Sequence, residues 1–390
     1  MTFNDDNPMK KIGVVFEDRF DSRYGVFNAV INRVKHLREA MAGEAIIDVW
    51  MLYLDHNRLS RLIHGERSAD VAATAVIDGI EINVLRHRLS VTDAVRQRFH
   101  CRPADYEAWC RSLMPIFASY DLLTVHDLLP AMLARVLNKR YCVTWHGTSI
   151  NTTPWREPLT RQLTVECLAG AWHNFTVSDA MGTVAQQLCP TARVSTLHNG
   201  ANSSFVKVSE TERNRWRADY GVMPDDKIMV FVGRHVEDKK VLLLPEIYHR
   251  TRELYAGRVV FWSIGDGPLL RQLQQSLPAG TDVVYMGKQP ADAMPRLLSC
   301  ADVMVLPSRM EGLPLVAAEA LATGCHVVAS RVGGTPEVVG IDNTFPLDTN
   351  FTEAVATRAA AMMRGEVTQE LPPDISWTAT AARERAFYLS

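Results

Sequence analysis

The chain has 390 residues, 47% of them hydrophobic and 22% charged, with a formal net charge of -2. That length exceeds one ordinary core and predicts roughly two domains of about 150 to 200 residues, and the apolar content predicts a globular chain rather than a disordered one. The near-balance of charge excludes a general nucleic-acid binder of the strongly basic kind, and seven cysteines with no Cys-x-x-Cys and no metal-ligand spacing suggest a reducing compartment.

After a polar leader, Ile12 to Phe16 reads as a strand, followed by a turn-like stretch that ends at Gly25 and a helix from about Val26 to Met41. A first strand, a loop with a glycine and then a helix is how an open α/β sheet brings backbone near a ligand; a glycine that merely turns the chain reads the same way. Ala45 to Leu54 is a second strand, and VIDGIEINVL, centred on Asp78-Gly79, is a hairpin. Arg86 to Arg102 carries Arg86, His87, Arg88, Arg96, Arg98, His100 and Arg102 against only Asp93. This stretch is either a solvated basic helix face or a surface that rests on an anionic bilayer. No run approaches the ~18 apolar residues of a membrane span, and Met1 to Lys11 lacks a signal-peptide core, so a soluble cytoplasmic protein is expected.

From Asp121 the pattern becomes regular, with strands at Leu122 to Val125, Tyr141 to Trp145, Asn174 to Val177 and Val194 to Leu197. Helices near Pro130 to Asn138, Pro158 to Ala169 and Ala180 to Leu188 separate them, which implies a parallel sheet covered on both faces. The loops at the strand ends hold His126, the run His146-Gly147-Thr148-Ser149, and Ser178-Asp179. His146, beside a glycine and hydroxyls, could bond a ligand or take part in proton transfer, or be a structural histidine. His198-Asn199-Gly200 closes the domain, and ANSSFVKVSE reads as the linker.

A helix near Glu210 to Tyr220 opens the second half. Strand Lys227 to Val232 ends in Gly233-Arg234, with Lys239 five residues on; strand Val259 to Ile264 ends in Gly265-Asp266-Gly267-Pro268; and Asp282 to Tyr285 leads to Met286-Gly287-Lys288. Arg234 and Lys239 could converge on one phosphate-sized anion at the start of a helix. The pattern Gly-x-x-x-x-Gly-Lys-Ser/Thr is missing, which disfavours a P-loop kinase or ATPase.

Asp302 to Ser330 reads as strand, loop, helix, strand. The residue before a proline avoids helical angles, so Leu313 should be extended, Pro314 should take the first helical position, and Glu311 should lie in the loop. A capping box of Ser308 and Glu311 is the alternative, and Pro314 argues against it. The helix beyond is apolar on every face, so Glu319 is a carboxylate where one should not be. It needs hydrogen-bond donors, from sugar or ribose hydroxyls or from a neighbouring basic side chain.

Together, Val232-Gly233-Arg234 with Lys239, Gly265-Asp266-Gly267-Pro268-Leu269, Ser308-Arg309-Met310-Glu311-Gly312 with Glu319, and Gly333-Gly334-Thr335-Pro336-Glu337 resemble family 4 of the retaining glycosyltransferases. The first half is similar through Tyr141 to Gly147, Val177-Ser178-Asp179 and Asn199-Gly200. The resemblance implies an α/β GT-B architecture of two Rossmann-like, doubly wound domains facing across a cleft. Residues 1–205 would hold the acceptor, residues 206–375 the nucleotide-sugar donor, and residues 376–390 would be a last helix crossing back to the first domain.

It also implies residue roles. Arg234 and Lys239 would bind the donor diphosphate and Glu319 the ribose hydroxyls. Glu311 would lie against the donor sugar, with the backbone N–H groups of Gly312 and Leu313 near the phosphate. His146 would sit near the sugar on the opposite wall, Gly25 would bring the first loop to the phosphates, and Gly233, Gly265 and Lys288 would complete the donor site. The chain departs from the family in Tyr24-Gly25 where paired glycines are common, in Lys240 after the lysine, and in Asn199-Gly200-Ala201-Asn202, which lacks the usual final aspartate.

Cleaving a sugar from a nucleotide diphosphate puts negative charge on the diphosphate. No Asp-x-Asp metal motif is present, so the arginine, the lysine and a helix N-terminus are expected to stabilise that charge without a metal or other cofactor. Retention follows from the resemblance, and a front-face reaction fits the lack of a convincing second carboxylate. The expected function is hexosyl transfer to a glycan or lipid-linked acceptor in bacterial surface polysaccharide synthesis, with peripheral contact to an anionic membrane and no nucleic acid. A sugar-nucleotide epimerase or phosphorylase of the same form, or a silent nucleotide-sugar-binding subunit, are the alternatives.

Overall fold

The computed structural model describes residues 9–18, 25–55, 72–88 and 106–390. The chain forms two compact units, one of residues up to His198 together with Trp377–Ser390, the other Asn199–Ser376. The boundary therefore falls at 198/199 and not at 205/206, because ANSSF already bonds within the second unit, where Ala201 bridges to Ser376 and the Phe205 amide donates to Asn202 O.

The first unit is built on eight strands: β1 Lys10–Glu17, β2 Ala45–Asp55, β3 Thr74–Ile77, β4 Ile80–Arg88, β5 Leu122–His126, β6 Tyr141–Trp145, β7 His173–Thr176 and β8 Val194–Thr196. Their order is β3-β4-β2-β1-β5-β6-β7-β8, parallel except for the edge hairpin β3/β4. Asp78 and Gly79 turn that hairpin, both with positive φ, as a two-residue turn matching the twist of the strands requires. Every residue of β5 and β6 is buried, as expected for parallel strands covered on both faces. The covering helices include α1 Val26–Ala40, α2 Tyr106–Ser112, α3 Leu128–Val136, α4 Pro158–Gly170 and α5 Asp179–Leu188. On α1, Phe27, Val30, Val34 and Leu37 recur at helical spacing and pack on Val14, Phe16 and Val49 of the sheet. Each such buried side chain contributes about 1.5–3 kcal/mol. Ser178 caps α5 by accepting from the Met181 amide at 3.3 Å.

The second unit holds β9 Lys227–Val232, β10 Val259–Ile264, β11 Val283–Gly287, β12 Val303–Leu306, β13 His326–Ser330 and β14 Thr344–Phe345, all parallel, in the order β11-β10-β9-β12-β13-β14. Its helices include α6 Glu210–Ala218, α7 Leu244–Leu254, α8 Leu315–Thr323 and α9 Phe351–Met363. Asp302 fastens α6 to the sheet, taking Arg217 at 2.5 Å, Arg213 at 2.9 Å and the Ile228 amide at 2.7 Å.

The last helix, α10 Trp377–Leu389, belongs to the first unit. Its Glu384 accepts from Arg33 of α1 at 2.6 Å, both fully buried, and the Tyr388 hydroxyl donates to Glu384 and accepts from the Thr124 hydroxyl of β5, 2.8 Å away. Removing one partner of a buried pair leaves an uncompensated charge, which costs about 3–5 kcal/mol.

Of the basic stretch, Arg86, His87 and Arg88 are described, and residues 89–102 lie outside the described residues. Arg86 and His87 are not on a helix face but at the end of β4. Arg86 donates to Asp55 at 2.9 Å and His87 is buried, stacked on Trp109 at 4.6 Å, so internal contacts occupy both. Among the described residues no helix is long and apolar enough to cross a membrane.

Candidate functional site

In the second unit the chain runs from β9 outward through β10 and β11, then returns to place β12 on the other flank of β9. The carboxyl ends of β9 and β12 therefore border a topological switch point, where open α/β sheets leave a crevice for ligands. Gly233 and Arg234 follow β9, and Pro307 to Glu311 follow β12.

Two glycines let these loops close on each other. At Gly265, φ +126°, a Cβ would overlap the carbonyl oxygen of Gly233; at Gly333, φ +50°, it would overlap that of Glu311. The Gly265 amide donates to Gly287 O at 2.8 Å and the Gly334 amide to Gly312 O at 2.9 Å. The Arg309 amide donates to Asp238 O at 2.7 Å, and its guanidinium pairs with the Asp238 carboxylate at 2.5 Å, so the loops after β9 and β12 are fastened together.

Within this frame Lys239 Nζ donates to Glu311 Oε1 at 2.5 Å, both side chains partly buried. Lys239 ends a single 3-10 turn, Glu237–Lys239, and does not begin an α-helix, so no helix dipole acts there as expected from the sequence. Lys240 follows with φ +48°, the left-handed conformation that explains why glycine is usual at this position. Arg234 is exposed and makes no ion pair among the described residues. Gly233 is partly buried beside it, and Lys288 is exposed just beyond β11.

The helix α8 begins one residue later than expected. Pro314 is its cap, in extended conformation with ψ 97°, and Leu315 is the first helical residue. Ser308 is fully buried far from that start, which removes the capping box with Glu311. The amides of Gly312, Leu313, Leu315 and Val316 have no partner among the described residues, so a row of N–H donors opens at the positive end of α8.

Further along α8, Glu319 is partly buried and bonds to no described residue. The salt bridge to a neighbouring basic side chain is thus not made. Burial alone pushes its carboxyl up to about 8.

The first unit has a switch point of its own, between β1 and β5. His126 ends β5 and His146 follows β6, and His126 Nδ1 lies 2.8 Å from His146 Nε2. Desolvation pushes His146 down to about 4 and His126 well below its ordinary value, with the buried Arg33 guanidinium acting in the same direction on both. Asp127, not singled out from the sequence, accepts from the His146 amide at 3.1 Å and from the Ser149 hydroxyl through Oδ1. It caps α3 at φ +65°, ψ -170°, a conformation close to glycine-only that costs about 1–3 kcal/mol and clusters at functional sites. The sequence signal for it is a carboxylate between a strand end and an apolar helix. Gly25 stands at the start of α1 with φ +46°, so the glycine is required by backbone angle, and Tyr24 lies outside the described residues.

Residues 226–364 match the profile of the family described as glycosyl transferases group 1. The chain is 27% identical over 234 residues to the uncharacterized glycosyltransferase MJ1607 of Methanocaldococcus jannaschii, covering 56% of this chain and 60% of that one. It is 28% identical over 165 residues to the lipopolysaccharide 1,2-N-acetylglucosaminetransferase of Salmonella typhimurium, covering 40% of this chain and 42% of that one. These curated relatives are matched over less than two thirds of their own length. Among solved structures, HepE of Anabaena in complex with UDP and glucose aligns with a TM-score of 0.64 at 17% identity, covering 97% of this chain and 99% of that one.

Proposed function

We propose that this chain, whose residues 226–364 belong to the glycosyl transferases group 1 family and whose fold is GT-B, transfers a hexosyl group from a nucleotide-diphosphate sugar to a glycan or lipid-linked acceptor. One observation carries the reading: on α8 a row of open backbone amides at the N-terminus precedes a partly buried carboxyl, Glu319, that no described residue satisfies. A nucleoside diphosphate supplies both missing complements, phosphate oxygens for the amides and ribose hydroxyls for the carboxyl. The solved structure of HepE holds UDP, which supports a nucleotide donor here.

In this reading Arg234, Lys239 and the amides of Gly312 and Leu313 receive the charge that grows on the departing diphosphate, without a metal. Preorganised donors of this kind are worth about 2.7–4 kcal/mol each. The loops at Gly233, Gly265 and Lys288 wall the nucleotide. Glu311 is engaged by Lys239, so, given the retention that the resemblance implies, a front-face transfer in which the leaving phosphate takes the acceptor proton fits better than double displacement through Glu311. His146, neutral at pH 7, serves as a hydrogen-bonding group toward the sugar. The lipopolysaccharide N-acetylglucosaminetransferase activity named for the Salmonella relative supports a place in surface polysaccharide assembly.

A thermal-shift panel of UDP-, GDP- and ADP-sugars tests the donor site, followed by product analysis with and without acceptor. Stabilisation by one nucleotide class, and consumption of its sugar only with acceptor present, is expected. Donor consumption without acceptor would point to an epimerase, a requirement for free phosphate to a phosphorylase, and binding without turnover to a silent subunit.

A further inference from the structure

The switch points of the two units are lined by different chemistry. In the second unit, open backbone amides, Arg234 and Lys239 stand with the carboxyls of Glu311 and Glu319. In the first, a cavity of about 290 Å³ lies where β1, β5 and β6 end, and Glu17 and Asp127 line it together with the hydroxyls of Thr148, Ser149, Thr153 and Thr160. No lysine or arginine lines it among the described residues. Leu128 and Leu129 supply its apolar wall. The volume is at the small end of ligand pockets, which run from roughly 300 to 1,000 Å³, and suits one small polar group rather than a polymer segment.

Asp127 spends only one carboxylate oxygen on the protein. Oδ1 takes the His146 amide and the Ser149 hydroxyl, while Oδ2 has no partner among the described residues. A carboxylate is an acceptor only, so what it lacks is a donor. A ring of hydroxyl groups offers several donors and an apolar C–H face for the leucines. A phosphate or carboxylate offers no donor when ionised and would bring its charge against the Asp127 carboxylate, a juxtaposition that suppresses binding.

We infer that this pocket is the acceptor site and that it takes an uncharged polyhydroxylated group, a sugar ring, in preference to a phosphorylated or carboxylated acceptor. The inference rests on the transferase reading for the word acceptor, but the ligand class follows from the pocket itself. Because Asp127 also holds the His146 amide, a hydroxyl that engages Oδ2 is placed beside the loop that carries His146.

The test is saturation-transfer NMR on the full chain, titrating methyl hexosides against the corresponding hexose 6-phosphates, with UDP binding measured calorimetrically on every sample. Neutral glycosides should bind at least about tenfold tighter than their phosphates. In Glu17→Gln/Asp127→Asn the neutral glycosides should weaken and the phosphates strengthen, so that the gap closes; asparagine has the shape of the aspartate that already holds φ +65° and ψ -170° at position 127. Intact UDP binding in that variant reports a folded protein. Phosphates binding as tightly as glycosides, a gap unchanged in the double variant, or no glycoside binding at all overturns the inference. Glycoside binding in a protein that fails to bind any nucleotide would instead sink the transferase reading and leave the ligand class standing.

Discussion

His126 Nδ1 and His146 Nε2 lie 2.8 Å apart, with the two rings stacked at 27°. Both imidazoles are neutral at pH 7, so a single proton occupies the bridge and the tautomer of one ring dictates that of the other. His146 Nε2 is taken up in the bridge, so whether its Nδ1 donates to a ligand or accepts from it is set by His126.

Acid should unfold the protein through this pair. Between about 4 and the ordinary 6.5 the unfolded chain binds protons that native His146 refuses, so stability rises with pH across that window and is lost as pH falls through it. In urea denaturation, the stability gap between the wild type and a variant with asparagine at both positions should move by roughly 1–2 kcal/mol between pH 5 and pH 7, a comparison in which every other titrating group cancels. A gap that stays constant over that range would refute the assignment.

Glu319 acts with the opposite sign. Its carboxyl titrates near 8 in the native chain against an ordinary 4.5, so the native state holds the extra proton in between and stability falls as pH rises across that range. Glu319→Gln should gain roughly 2 kcal/mol at pH 9 and lose nucleotide affinity. Ribose hydroxyls that donate to the carboxylate would expel its proton, so calorimetry in two buffers of different ionisation enthalpy at pH 7 should register proton release on UDP binding. Zero net release refutes the ribose contact.

Lys239→Ala should cut turnover at saturating donor by about 10²–10³-fold while the melting temperature stays within a few degrees. Wild-type turnover in that variant would remove the diphosphate role. Activity that survives EDTA is expected of the wild type, and complete loss would end the metal-free mechanism.

Gly333→Ala should destabilise the second unit by more than about 3 kcal/mol, because the added methyl group meets a backbone carbonyl at a positive φ. Denaturation of the purified variant measures it. A loss below about 1 kcal/mol would mean that the loops after β12 and β13 are not held in contact.

Much of this was readable in one dimension. The βα alternation gave strand positions to within a few residues because each parallel strand is a short, wholly apolar run, and Glu319 stood out as an acid among alanines and leucines. What escaped is contact at long separation. Lys239 and Glu311 are 72 residues apart and were assigned separate tasks, although they bond to each other. Arg33 and Glu384 are 351 apart, and neither carries a local signal of burial. The misreading of Arg86 and His87 has a different origin. Counting charges suggested a helix face, whereas the alternation in IEINVLRHR marks a strand whose polar residues find partners on neighbouring elements.

The second unit is one uninterrupted segment, while the first is assembled from pieces on either side of it. During synthesis Arg33 leaves the ribosome long before Glu384, with all of Asn199–Ser376 in between. The inserted unit has its whole sequence in hand first and is able to fold cotranslationally, whereas its host waits, with a lone guanidinium on α1, for α10 to arrive.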